Sequence, residues 1–144
     1  FAKKFLADGS KVDAFDASKK MIEIASLETK VNWWVADFKS FCAAKQYDGI
    51  WANFSLLHAP KKEISQLIQT IFKSLKPHGL FSLGLKLGTG EKRDKIGRQY
   101  SYFEEHEIRN ILLKEEFYPI SHHLGEAKGL DGESAKFIII LSHA

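Results

Sequence analysis

The chain has 144 residues, 44% apolar and 27% charged, with a formal net charge of +3. That is one globular domain by length, able to bury roughly two-thirds of its unfolded surface, and extended disorder is not expected. Its 21 Lys and Arg residues are spread along the chain, which argues against nucleic-acid binding through a phosphate-neutralising patch, and no apolar run reaches the ~20 residues of a membrane span.

Cys42 is the only cysteine, so no intramolecular disulfide can form, which fits a reducing compartment and a cytoplasmic location. The chain opens on Phe1 inside an amphipathic helical pattern, FAKKFLADG, with Gly9 as its C-terminal stop. Lys11 to Phe15 reads as a short strand that ends at Asp16. Ser18 then caps a helix whose apolar side holds Met21, Ile22 and Ala25. Val31 to Ala36 reads as a second strand with Asp37 just beyond, so a carboxylate stands at each strand end. Cys42 to Gln46 reads as surface helix or loop.

The stretch from Tyr47 to Leu87 organises the rest. Asp48 to Phe54 reads as a strand, Lys61 to Leu75 as a helix, Pro77-His78-Gly79 as a turn and Leu80 to Leu85 as a strand. Ile64, Leu67, Ile68, Ile71, Phe72 and Leu75 recur at three and four residues and draw one apolar stripe along the helix. Strand, crossover helix and strand predict a parallel pair with the helix on one sheet face, and ligands of such sheets collect at the carboxyl ends of the strands. That edge holds Asn53, Phe54, Ser55 and His58 after one strand, and Lys86 with Gly84, Gly88 and Gly90 after the other.

Beyond it, GTGEKRDKIG reads as a mobile loop. Ser101 and Glu104 have capping-box spacing at the head of a helix that buries Ile108, Ile111 and Leu112 and ends near Glu116. Phe117 to Leu124 and Phe137 to Leu141 read as antiparallel strands joined by GEAKGLDGES. The second is apolar throughout, which suits an internal strand covered on both faces.

Several chemistries are disfavoured. The glycines near Gly88 fit neither a phosphate loop nor a dinucleotide fingerprint, and no Gly-x-Ser-x-Gly elbow occurs. His122 and His123 alternate across a strand and cannot chelate one metal together. Asp16 suits either a ribose diol or the cap of the following helix, and Asp37 either a ligand or a solvated turn. His58 can orient a substrate, take a proton, or serve only as a structural donor. Lys86, Arg93, Arg98, Tyr100 and Tyr102 gather around the loop after the last strand of the central unit, where a cationic anchor and a solvated loop are both open.

The run Tyr-Asp-Gly-Ile-Trp-Ala-Asn-x-Ser-Leu-Leu-His, followed by a helix ending Leu-Lys-Pro-x-Gly, resembles the fourth and fifth segments of class I, small-molecule S-adenosylmethionine-dependent methyltransferases. Within that family it is most similar to the tellurite-resistance-like group. VDAFDASKKM resembles the family's second motif, which favours the ribose role for Asp16. The resemblance implies an α/β fold: a Rossmann-like three-layer sandwich, mostly parallel, with an antiparallel C-terminal strand and the sheet order 3-2-1-4-5-7-6. It implies S-adenosyl-L-methionine as cofactor, with Asp16, Ala17, Met21, Ala36, Asp37, Phe38, Asn53, Phe54 and Ser55 around it. It further implies a small-molecule acceptor, for which Lys86, Arg98 and Tyr102 are the candidates; the residues themselves offer His58 as the catalytic candidate and point to no metal, nucleic-acid or membrane partner. Residues 1–144 form one domain on this reading, with the family's first strand and Gly-rich loop absent. Reduced stability or self-association to complete the sheet is expected in consequence. Another nucleotide-binding α/β enzyme and a non-catalytic scaffold are the alternatives.

Overall fold

The computed structural model describes residues 1–41, 47–129 and 132–144; the surface helix or loop expected at Cys42 to Gln46 lies outside them. The backbone falls into two compact units, Phe1–Phe41 and Cys42–Ala144.

In the first unit, α1 (Ala2–Ala7) runs into β1 (Val12–Asp16), then α2 (Lys19–Ala25) and β2 (Val31–Val35). Ser18 caps α2 as expected, its hydroxyl accepting from the Met21 amide at 3.3 Å. β1 and β2 pair in parallel from Val12 opposite Val31 to Asp16 opposite Val35. Phe15 packs between Trp34, 5.4 Å away, and Phe41, stacked at 5.3 Å. This core is thin: Val31 is the one buried apolar side chain among the unit's described residues, while Met21, Ile24 and Leu27 are exposed.

The second unit holds β3 (Tyr47–Asn53), α3 (Ile64–Ser74), β4 (Leu75–Lys86), a hairpin of β5 (Glu91–Arg93) and β6 (Gln99–Ser101), α4 (Glu105–Lys114), β7 (Tyr118–Lys128) and β8 (Ser134–His143). The larger sheet has the order β3-β4-β8-β7, with β3 and β4 parallel and the other two ladders antiparallel. This sheet is therefore mixed, and its C-terminal strand β8 runs antiparallel to both neighbours.

The stripe on α3 does what its spacing requires: Ile64, Leu67, Ile68 and Ile71 are buried. Register puts Phe81, Leu83 and Leu85 of β4 on one face beside Ser142, Ile140 and Ile138 of β8. Ile108 and Leu112 of α4 complete this core, and Phe117 joins it at 4.9 Å from Phe81 and 5.3 Å from Phe72.

Four expectations change. The Pro77-His78-Gly79 turn lies within β4, where His78 adopts φ +62 and the ladder slips from Tyr47–Leu75 to Gly49–Leu80. Leu75 is buried, but as the first residue of that strand and not as the end of the helix. The expected loop after Gly88 contains the β5–β6 hairpin. Glu104, not Ser101, caps α4 in a reciprocal box with Glu107, because the Ser101 hydroxyl is taken up by the Ala59 carbonyl at 2.7 Å and Glu91 Oε1 at 3.0 Å.

Candidate functional site

Strand β3 ends at a close approach. A Cβ on Gly84 of β4 would lie 3.1 Å from both the Cα and the Cβ of Asn53, so a side chain there would press the two strands apart. Asn53 Oδ1 accepts from Ser82 Oγ at 2.9 Å, and the buried Nδ2 has no partner among the described residues. Such an orphan is costly unless something supplies an acceptor. The next residue, Phe54, holds φ +61, a conformation a bulky side chain adopts only under constraint, and its amide donates to the Gly84 carbonyl at 2.9 Å. Strain of this kind concentrates where ligands bind.

Ser55 leads into a single 3₁₀ turn, Leu56–His58, pinned by buried Leu56 and Leu57. The turn presents His58 with its Nδ1 2.7 Å from the Gln99 carbonyl on β6. A carbonyl can only accept, so Nδ1 carries the proton and the neutral ring keeps its lone pair on Nε2. The imidazole lies 4.7 Å from the buried Tyr100 ring.

The β5–β6 hairpin is built from its own charges. Arg98 Nε and Nη2 each lie 2.7 Å from Asp94 Oδ2, and the Arg98 amide donates to Asp94 Oδ1 at 2.9 Å. Burial raises the Asp94 pKa, but the hydrogen bonds from Arg98 and the Ile96 amide outweigh it and hold the carboxyl below its ordinary range. Arg93 donates to the Gly97 carbonyl at 2.7 Å and closes the same loop. Glu91 anchors the hairpin's base, its carboxyl held low chiefly by the Lys61 amide and then by Ser101.

Lys86 ends β4 with its ammonium 4.1 Å from the centre of the Tyr100 ring. A cavity of about 450 Å³ is lined by Phe54, Leu57, His58, Lys86, Arg98 and Tyr100, closed by Phe137 and its neighbours. Tyr102 lines a second cavity instead, of about 490 Å³, which shares Lys86 and Ala135 with the first. His58, Lys86 and Arg98 are thus brought together and Tyr102 is set apart. Tyr100, which the sequence groups with Lys86 and Arg98, forms part of the wall; Leu57 and Phe137 are wall residues with no such signal, since Phe137 reads only as interior strand.

In the first unit, Asp16 is exposed at the end of β1, with Oδ1 accepting from the Ser18 amide at 2.7 Å. Asp37 follows β2, its Oδ1 accepting from the Ser40 hydroxyl and amide, both at 2.8 Å, which lowers its pKa. The Lys39 amide and ammonium lower the Asp37 pKa further. Ala17 and Met21 lie exposed beside Asp16, Ala36 donates its amide to the Asp16 carbonyl at 3.1 Å, and Phe38 is half-buried. Among the described residues no group of His, Cys, Asp and Glu could hold a metal ion.

Residues 1–79 match the family described as Methyltransferase domain. The chain belongs to that family. Solved structures agree in fold. An S-adenosylmethionine-dependent methyltransferase from Methanosarcina mazei superposes with a TM-score of 0.83 at 16% identity, over 99% of this chain and 86% of its own. The 1,6-didemethyltoxoflavin-N1-methyltransferase of Burkholderia thailandensis, solved with its substrate and S-adenosylhomocysteine, gives 0.79 at 19% identity, over 98% of this chain and 64% of its own. A Mesorhizobium loti S-adenosylmethionine-dependent methyltransferase gives 0.74 at 15% identity, over 99% and 84%. No curated protein sequence matches the chain. The order β3-β4-β8-β7 equals the 4-5-7-6 stretch implied by the resemblance, and the parallel pair β1-β2 equals its 2-3 stretch.

Proposed function

We propose that this methyltransferase-domain protein transfers a methyl group from S-adenosylmethionine to a small-molecule acceptor, on a fold nearest the tellurite-resistance-like group. The observation that carries the reading is the unpartnered buried amide of Asn53 beside strained Phe54, at the strand edge where sheets of this kind take ligands. Asp16 would hold the ribose diol, Asp37 and Phe38 the base, and Asn53 with Ser55 the amino-acid tail, with Ala17, Met21, Ala36 and Phe54 as neighbours. The cofactor supplies a methyl carbon on a sulfonium, an intrinsically good electrophile. What the chain adds is alignment of the acceptor's lone pair with that carbon. His58 Nε2 takes the proton from acceptors that must lose one, because Gln99 holds the opposite nitrogen protonated.

Calorimetric titration with S-adenosylhomocysteine tests the reading. The wild-type chain binds saturably, and Asp16→Ala, which removes hydrogen bonds to a charged group, weakens binding roughly 10- to 100-fold. Equal affinity in the variant, or preferential binding of a nicotinamide cofactor by the wild type, would sink it.

A further inference from the structure

The two cavities that meet at Lys86 have a charge balance that names the chemistry of their occupant. Phe54, Leu57, Tyr100 and Phe137 give the first an apolar wall, and Lys86 and Lys128 stand at it as cations. The second adds Lys92 and Lys136. Glu133 is the one carboxylate lining either among the described residues, and it lies 3.1 Å from the Lys95 ammonium. Arg98 also faces the first cavity, but its guanidinium charge is matched by Asp94. No carboxylate of the described residues pairs with Lys86, whose ammonium lies over the face of Tyr100. Clefts lined by one sign of charge concentrate ligands of the other sign, and desolvating one side of an ammonium strengthens its bond to an anion on the other.

We propose that the acceptor is a small organic anion with a planar apolar body, its anionic group on Lys86 and its body between Tyr100 and the Phe54–Phe137 pair. Phe54 and Phe137 meet edge to face at 5.4 Å, an arrangement that leaves aromatic surface open to a flat ligand. A neutral acceptor would leave the Lys86 ammonium half desolvated and unanswered, and a cationic one would be repelled. Arg98 serves here as a positioning residue: tied to Asp94, it sets the hairpin that carries Tyr100. This assignment rests on the methyl-transfer reading, and the rival source of an anion at Lys86 is the cofactor's own carboxylate.

The test is calorimetric binding of 2-naphthoate and its neutral isostere 2-naphthamide, with and without S-adenosylhomocysteine, to the wild type, Lys86→Met and Lys86→Arg. Naphthoate is expected to bind 10- to 100-fold tighter than naphthamide, Lys86→Met to erase that preference, and Lys86→Arg to keep most of it, which separates charge from folding. S-adenosylhomocysteine affinity should be the same in all three proteins. A naphthoate preference no larger than a few-fold, or one untouched in Lys86→Met, overturns the proposal. Loss of S-adenosylhomocysteine binding in Lys86→Met overturns it too, assigning Lys86 to the cofactor. A naphthoate preference in a wild type that binds no S-adenosylhomocysteine would leave an anion site standing and remove the methyl-transfer reading beneath it.

Discussion

Phe54 concentrates the tension between local preference and site geometry. Its φ of +61 belongs to glycine, yet the aromatic ring is kept, 5.4 Å from Phe137 and facing the cavity. Two effects separate on substitution: loss of the ring, and relief of the backbone. Phe54→Ala loses the ring and keeps the strain, while Phe54→Gly loses the ring and relieves it. Urea denaturation should therefore find Phe54→Gly more stable than Phe54→Ala by about 1 kcal/mol, the reverse of the usual glycine penalty. A glycine variant less stable than the alanine one would show that the positive φ costs nothing. Asp16 and Asp37 teach a different lesson at this scale. Each carboxylate is held by the backbone just beyond it, Asp16 by the Ser18 amide and Asp37 by the Ser40 amide, so local turn chemistry fixes both before any distant contact forms.

At the scale of elements, the β5–β6 hairpin is only three residues on each strand and takes its stability from Asp94. Because the folded carboxyl titrates below its ordinary value, its stabilising contribution is complete above that ordinary range and is lost as pH falls through the lower folded value. The amide resonances of residues 91–101 should hold steady down through the ordinary carboxylate range and move toward disordered positions only at pH below it. Asp94→Asn should abolish that acid step. An unchanged step in the variant would trace it to another group, Glu91 first, since its carboxyl is also held low and anchors the hairpin base.

The whole molecule is unevenly built. The second unit has an interior of fully buried Phe81, Leu83, Leu85, Ile138 and Ile140 under two helices, whereas the first buries Val31 and leaves Met21, Ile24 and Leu27 in solvent. Buried apolar area is the main favourable term in folding, and local opening follows its distribution. Hydrogen exchange should accordingly show the β1 and β2 amides exchanging at least about tenfold faster than those of β4 and β8. Equal protection across both sheets would mean that the exposed side chains of the first unit are covered in solution.

Sequence alone determined what depends on neighbours along the chain. The α3 stripe, the Ser18 cap, the parallel β3–β4 unit and the β7–β8 hairpin follow from periods and short connections that act within a few residues, so their order was legible before any coordinates. The shared carboxyl edge of β3 and β4 was legible for the same reason. Only the tertiary structure decided the rest, because each remaining feature joins residues that no local pattern connects. β8 enters between β4 and β7; Gln99 fixes the tautomer of His58 across 41 positions; Ser101 turns to Ala59 and leaves the cap of α4 to Glu104. Arg98 stands in sequence as one cation among several, and folding sets Asp94 against it. A charged side chain takes its meaning from the partner that folding brings to it, and register, not composition, chooses that partner.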